Sequence, residues 1–162
     1  MQNKHEKYNK LIARCQSLPP VPTAVAHPCD ESSLRGAVEA ADLGLLTPIL
    51  VGPQARIAAV AEQFGLAIAR FELVDAPHSH ASAEAAVQLA RAGKAEMLMK
   101  GSLHTDELMG AVVRSGTGLR TERRISHAFV MDVPALDRVI VITDAAINIF
   151  PTLEDKLHIV QN

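Results

Sequence analysis

Short apolar runs alternate with amphipathic stretches of helical length through most of this 162-residue chain, and that alternation restricts the fold more than any other feature. The runs Thr23 to Ala26, Pro48 to Val51, Ile68 to Val74 and Ala95 to Met99 have the length and composition of buried strands. Between and after them, apolar residues recur three and four positions apart, which places them on one side of a helix. One such stripe is Leu34, Ala37, Val38 and Ala41, and the next is Ile57, Val60, Ala61 and Phe64. Gly52-Pro53 opens the second, with Pro53 expected at its first helical position. Two more follow: Ala83, Ala86, Val87 and Ala90 within Ser79 to Ala92, with Gly93 placed to cap the end, and then Leu108, Met109, Val112 and Val113. Connections of this length are crossovers, so consecutive strands are expected to lie parallel, with helices on both faces of the sheet. The predicted architecture is a three-layer α/β/α sandwich.

Both ends depart from the rhythm. Tyr8, Leu11, Ile12 and Cys15 predict a helix from His5 to Ser17, stopped by Pro19, Pro20 and Pro22. Ile125 to Val133 and Arg138 to Thr143 read as strands separated only by Pro134 to Asp137, a gap that suits a hairpin and excludes a helical crossover. An antiparallel hairpin near the C-terminus is therefore expected, making the sheet mixed. Pro151 and Thr152 predict the start of a last helix, with Asp155 at the capping-box position and Leu153, Leu157 and Val160 turned inward.

Composition narrows the function. Hydrophobic residues make up 48% of the chain and charged residues 21%, enough for one buried core in one domain. Aromatics are 3%, Trp is absent and the formal charge is −2, so neither stacking platforms nor a basic field favours nucleic acid. Cys15 and Cys29 form no Cys-x-x-Cys pair and are read as small buried hydrophobes in a reducing compartment, with a reactive thiol as the other reading. No apolar signal region follows the N-terminus and no run of about 18 apolar residues occurs, so a cytoplasmic location without membrane contact is expected.

In an open parallel sheet, ligands gather beyond the carboxyl ends of the strands. That rule selects His27 to Ser33, Lys100 to Thr105 and Asp144 to Asn148. The second is the most suggestive: Gly101 permits close backbone approach, Ser102 and Thr105 offer hydroxyls, and Lys100 offers a cation beside a helix start. Ser and Thr in such a place also serve as ordinary helix caps. His27 and His104 fall in the same loops. No Walker sequence, Gly-x-Gly-x-x-Gly or Gly-x-Ser-x-Gly is present. His78-Ser79-His80 does not have metal-ligand spacing, and no metal is expected. The basic, glycine-containing stretch Arg114 to Arg124 is read as a solvated loop, with a phosphate-meeting flap as the other reading.

Five blocks in this order carry a family resemblance: Ala26-His27-Pro28-Cys29-Asp30-Glu31-Ser32-Ser33-Leu34, Pro48-Ile49-Leu50-Val51-Gly52-Pro53, Met99-Lys100-Gly101-Ser102-Leu103-His104-Thr105, Ile125-Ser126-His127-Ala128 and Ile142-Thr143-Asp144-Ala145-Ala146-Ile147-Asn148. Together they resemble the phosphate acetyltransferase and phosphate butyryltransferase family, especially the transferase half of bifunctional enoyl-CoA hydratase/phosphate acetyltransferase proteins. The resemblance implies a fold similar to isocitrate and isopropylmalate dehydrogenases. It also implies reversible acyl transfer between CoA and inorganic phosphate, no metal or prosthetic group, and a homodimer. Family members are about twice this long, so residues 1–162 are expected to be the N-terminal α/β domain of a two-domain acyltransferase. The second domain and the catalytic residues would then lie outside this chain, leaving it inactive by itself. Matched to the family, Gly101, Ser102 and Thr105 are expected to contact phosphate or acyl phosphate, with His27, Ser32 and Lys100 as second choices. His104, Asp144 and Asn148 complete the candidate binding set. A different class, a non-catalytic domain binding phosphate or nucleotide anions through the same loop, fits the residues as well.

Overall fold

A computed structural model describes residues 6–162 and divides them into two compact units. One comprises residues 16–120. The other joins the N-terminal helix to residues 121–162. His5, where the first helix was expected to begin, lies outside the described residues.

In residues 16–120, four strands form one parallel sheet in the order β3-β2-β1-β4: β1 (Val21–Ala26), β2 (Leu46–Gly52), β3 (Glu72–Asp75) and β4 (Met97–Lys100). Ala24 pairs with Ile49 of β2 on one side and Leu98 of β4 on the other, so β1 is central and buried. Its side chains alternate between the two faces, as strand geometry requires. Ala24 and Ala26, with Ile49 and Val51 of β2, join α4 (Ser79–Arg91) and α5 (Thr105–Val112) in one core cluster. Val25 and Leu50 face the other way, onto α2 (Glu31–Asp42) and α3 (Gln54–Phe64). These are the three layers that the alternation of runs and stripes predicts.

Two local expectations need correction. Pro53 is the cap of α3 and not its first helical residue. The third strand is also shorter than the apolar run from Ile68. After α3, Gly65 takes the left-handed conformation (φ 63°) and the Leu66 N–H closes on the Ala61 carbonyl, which reverses the chain. Leu66, Ile68 and Phe71 then pack onto the α2/α3 core as a loop, held by a Phe71 N–H bond to Ile68, so pairing begins only at Glu72.

The second unit holds α1 (Glu6–Cys15), an antiparallel hairpin of β5 (Ala128–Met131) and β6 (Ile140–Thr143), and α6 (Leu153–Gln161). The hairpin forms its own two-stranded sheet, so the large sheet is wholly parallel and not mixed. Lys7 of α1 pairs with Asp132 at 2.9 Å and donates to the carbonyls of Val133 and Leu136, both at 2.7 Å. Thr152 and Asp155 form the expected capping box of α6. The helix presents the opposite face from the one predicted, however. Leu153, Leu157 and Val160 are 86%, 56% and 79% exposed, and Ile159 is the buried residue. Polar anchors decide this: Asp155 pairs with Arg124 at 2.5 Å, His158 Nδ1 accepts from the Arg124 N–H, and Asn162 donates to the Arg124 carbonyl. Those residues share one helical face with Ile159, and that face turns toward residues 124–126.

Candidate functional site

The connections around β1 run in opposite directions across the sheet. From β1 the chain passes through α2 to β2 and β3, then returns through α4 to β4 on the other side of β1. The carboxyl ends of β1 and β4 therefore flank a topological switch point, the place where open α/β sheets bind ligands. Two of the three selected segments, His27 to Ser33 and Lys100 to Thr105, begin there.

Hydrogen bonds stitch the two loops together. The N–H and the hydroxyl of Ser102 both donate to the His27 carbonyl at 2.9 Å, and the same hydroxyl accepts the Cys29 N–H at 3.1 Å. The Gly101 N–H donates to the Ala26 carbonyl at 2.8 Å. A Cβ on Gly101 would lie 2.4 Å from the Ala26 oxygen and 2.5 Å from the His27 oxygen. The close approach that requires glycine here is thus to the protein's own backbone. Lys100 turns its ammonium onto the carbonyls of Leu103 (2.7 Å) and Gly101 (3.1 Å), holding the bend closed.

His27 is the most constrained residue of the group. It is 6% exposed and sits at φ 57°, a left-handed conformation uncommon for a residue with a side chain. Its N–H donates to Val51 at 2.7 Å while its carbonyl takes the bonds from Ser102 and the Cys29 N–H, so the backbone is fixed from three sides. The ring nitrogen Nδ1 lies 3.0 Å from Ser82 Oγ. Burial, followed by the nearby Arg56 charge, lowers the imidazole's pKa; Glu107 opposes that effect. Burial pushes the Cys29 thiol up, leaving it a neutral hydrophobe.

The helix starts differ in what they leave open. Asp30 caps α2, its carboxylate accepting the Ser33 N–H at 2.8 Å and the Ser33 hydroxyl at 2.6 Å, which keeps its carboxyl ionised well below its usual range. Ser32 is exposed on the first turn. At α5, the His104 N–H donates to Glu107 at 2.7 Å, and Glu107 also receives the Ser79 hydroxyl at 2.6 Å and pairs with His80 at 2.8 Å. Thr105, the first residue of α5, is exposed. Two cations, Lys100 and Arg56, stand against three carboxylates, Asp30, Asp106 and Glu107, so the local balance is slightly negative.

Asp144 and Asn148 belong to the other unit and bond to each other. Asp144 also accepts the N–H groups of His127, Ala146, Ile147 and Asn148. Desolvation works against its charge, but these donors outweigh it and depress its carboxyl below the ordinary carboxylate range. The first part of the basic stretch is pinned rather than free. Arg114 pairs with Glu84 at 2.6 Å, and Arg91 donates to the Gly118 carbonyl at 2.6 Å. A hollow of about 170 Å³ beside Arg114 and Glu84 lies on the α4/α5 side, away from the switch point.

Sequence reasoning missed Ser82 and Glu107. Ser82 is a hydroxyl on the alanine stripe of α4, four residues before Ala86, and a polar residue on an apolar face is the signal that could have found it. Glu107 stands three residues after His104, which is capping-box spacing.

These features define an open α/β domain with two braced loops at its switch point. Residues 79–162 match the phosphate acetyl/butaryl transferase family, and the chain belongs to that family. It is 62% identical over 156 residues to a phosphate acetyltransferase of Rhizobium meliloti, covering 96% of this chain and 49% of that protein. It is 34% identical to a phosphate butyryltransferase of Clostridium acetobutylicum, covering 97% of this chain and 52% of the relative. The chain thus spans about half the length of these relatives. Among solved structures, a phosphotransacetylase from Streptococcus pyogenes superposes with a TM-score of 0.78 at 18% identity, over 95% of this chain and 56% of that one, which shows a shared fold.

Proposed function

We propose that this chain supplies the phosphate-holding edge of an acyltransferase that moves an acetyl or butyryl group between CoA and inorganic phosphate. The observation that carries this reading is the Ser102 hydroxyl, which ties the β1 and β4 loops together at the switch point of a chain from this family. In the reaction the CoA sulfur bonds to the acyl carbon, the bond from that carbon to the phosphate oxygen breaks, and the thiol proton ends on the released phosphate. The reverse direction returns the proton to sulfur. What the protein must supply is a set of donors and cations for the departing phosphate.

Within that reading Thr105, exposed at the start of α5, meets the phosphate directly, and Gly101, Ser102 and Lys100 shape the bend that presents it. His27, Ser32 and His104 border the same edge, and Asp144 with Asn148, in the other unit, is a separate candidate for substrate contact. Because the local charge balance is slightly negative, this edge alone holds an anion weakly, and a second set of positioned groups is needed to make the attack effectively intramolecular. The chain by itself is therefore expected to turn over nothing. CoA enters as a substrate, with no resident metal or prosthetic group, and the working enzyme is a cytoplasmic homo-oligomer.

The test mixes the chain with CoA and either acetyl or butyryl phosphate and follows thioester formation, then repeats the assay on a chain extended to the length of its relatives. Thioester from the longer chain alone is the expected outcome. Phosphate binding without turnover in both would instead support the non-catalytic anion-binding domain.

A further inference from the structure

The partners of Ser82 fix which nitrogen of His27 carries the proton. Ser82 has a single hydroxyl hydrogen. Its Oγ lies 2.9 Å from the His78 carbonyl oxygen and 3.0 Å from His27 Nδ1. Two oxygens 2.9 Å apart with no hydrogen between them repel, so the hydroxyl hydrogen points to His78 and the oxygen accepts from His27 Nδ1–H. The ring is then the Nδ1–H tautomer, and Nε2 carries a bare lone pair. Nε2 is neither bonded to any described residue nor sealed from solvent, although the residue as a whole is 94% buried, the complement of its 6% exposure. A side chain so enclosed, locked at one nitrogen and open at the other, is built to accept one hydrogen bond from outside.

The groups around the ring preserve that state. Burial, the largest effect, together with Arg56 of α3 and His78 at the start of α4, disfavours a second proton, and only Glu107 of α5 favours one. In that neutral state Nδ1–H donates to Ser82 and Nε2 can only accept.

Resting on the proposed phosphate site, we infer that His27 Nε2 accepts the hydrogen of a P–OH group, so that this edge selects hydrogen phosphate over oxyanions of the same shape that have no hydrogen to give. Sulfate is the discriminating probe. In mildly alkaline buffer both ions are tetrahedral dianions, but hydrogen phosphate can donate to Nε2, whereas every sulfate oxygen would meet the lone pair with its own. Sites that require a donor from the ligand reject analogues lacking it.

Calorimetric titration of the chain with each ion tests this. Phosphate is expected to bind roughly tenfold more tightly than sulfate. His27→Asn tolerates the left-handed backbone and keeps an N–H near the Nδ1 position for Ser82, but lacks Nε2. It should bring the two affinities to parity by weakening phosphate alone. Equal binding of both ions by the unaltered chain, or an undiminished preference in a folded H27N variant, would overturn this inference and leave the proposed function standing. If neither ion binds and no amide resonance of residues 27–33 or 100–106 moves, both fail together.

Discussion

Gly101 shows how much one missing methyl group decides at the β1/β4 junction. With two carbonyl oxygens inside 2.6 Å of where its Cβ would be, Gly101→Ala forces the two strand ends apart and breaks the Ser102 bonds. Chemical denaturation should show a loss of about 2–4 kcal/mol. His27 makes a prediction of opposite character. Its pKa is depressed in the folded state, so the unfolded chain binds the extra proton first as pH falls. Its contribution to stability is fully present above the ordinary imidazole value of about 6.5 and is lost as pH drops from there through the folded value. Denaturation midpoints measured across that range should fall in the wild-type chain and fall less in His27→Asn. The candidate loops could be read from the sequence, because glycine, hydroxyls and histidines cluster after strand-like runs. The roles within them could not, because whether Ser102 faces a ligand or a backbone carbonyl depends on strand order, which local patterns do not encode.

Among the elements, α6 separates what local sequence encodes from what it leaves open. Its start was legible: Thr152 and Asp155 bond reciprocally, and Thr152→Ala should cost about 1 kcal/mol with the loss confined to residues 121–162. Amide exchange, faster in α6 and unchanged in the parallel sheet, would confirm it. Its orientation was not legible. The apolar stripe of Leu153, Leu157 and Val160 suggests an inward face, yet the anchors Arg124, His158 and Asn162 are long-range partners that carry no periodic signal. The central strands are the reverse case. Unbroken apolar runs identify β1 and β2 as buried on both faces, and Leu50→Ala, opening a hole in the α2/α3 layer, should cost about 2–5 kcal/mol.

At the scale of the whole chain, both apolar clusters draw every member from residues 16–120. Those residues expressed alone should keep their helical circular dichroism and unfold cooperatively; a piece that is unstructured would show that the remaining segments are needed to fold the sheet. The family relationship extends over almost the entire chain but only about half of its relatives. Under the proposed function this chain holds phosphate, and a second set of positioned groups completes the catalysis. Mapping amide shifts during a phosphate titration tests that assignment most directly. Residues 27–33 and 101–106, at the carboxyl edge of β1 and β4, should move together and saturate with a single affinity. Shifts concentrated around Glu84, Gln88 and Arg114 instead, with the edge unmoved, would contradict it.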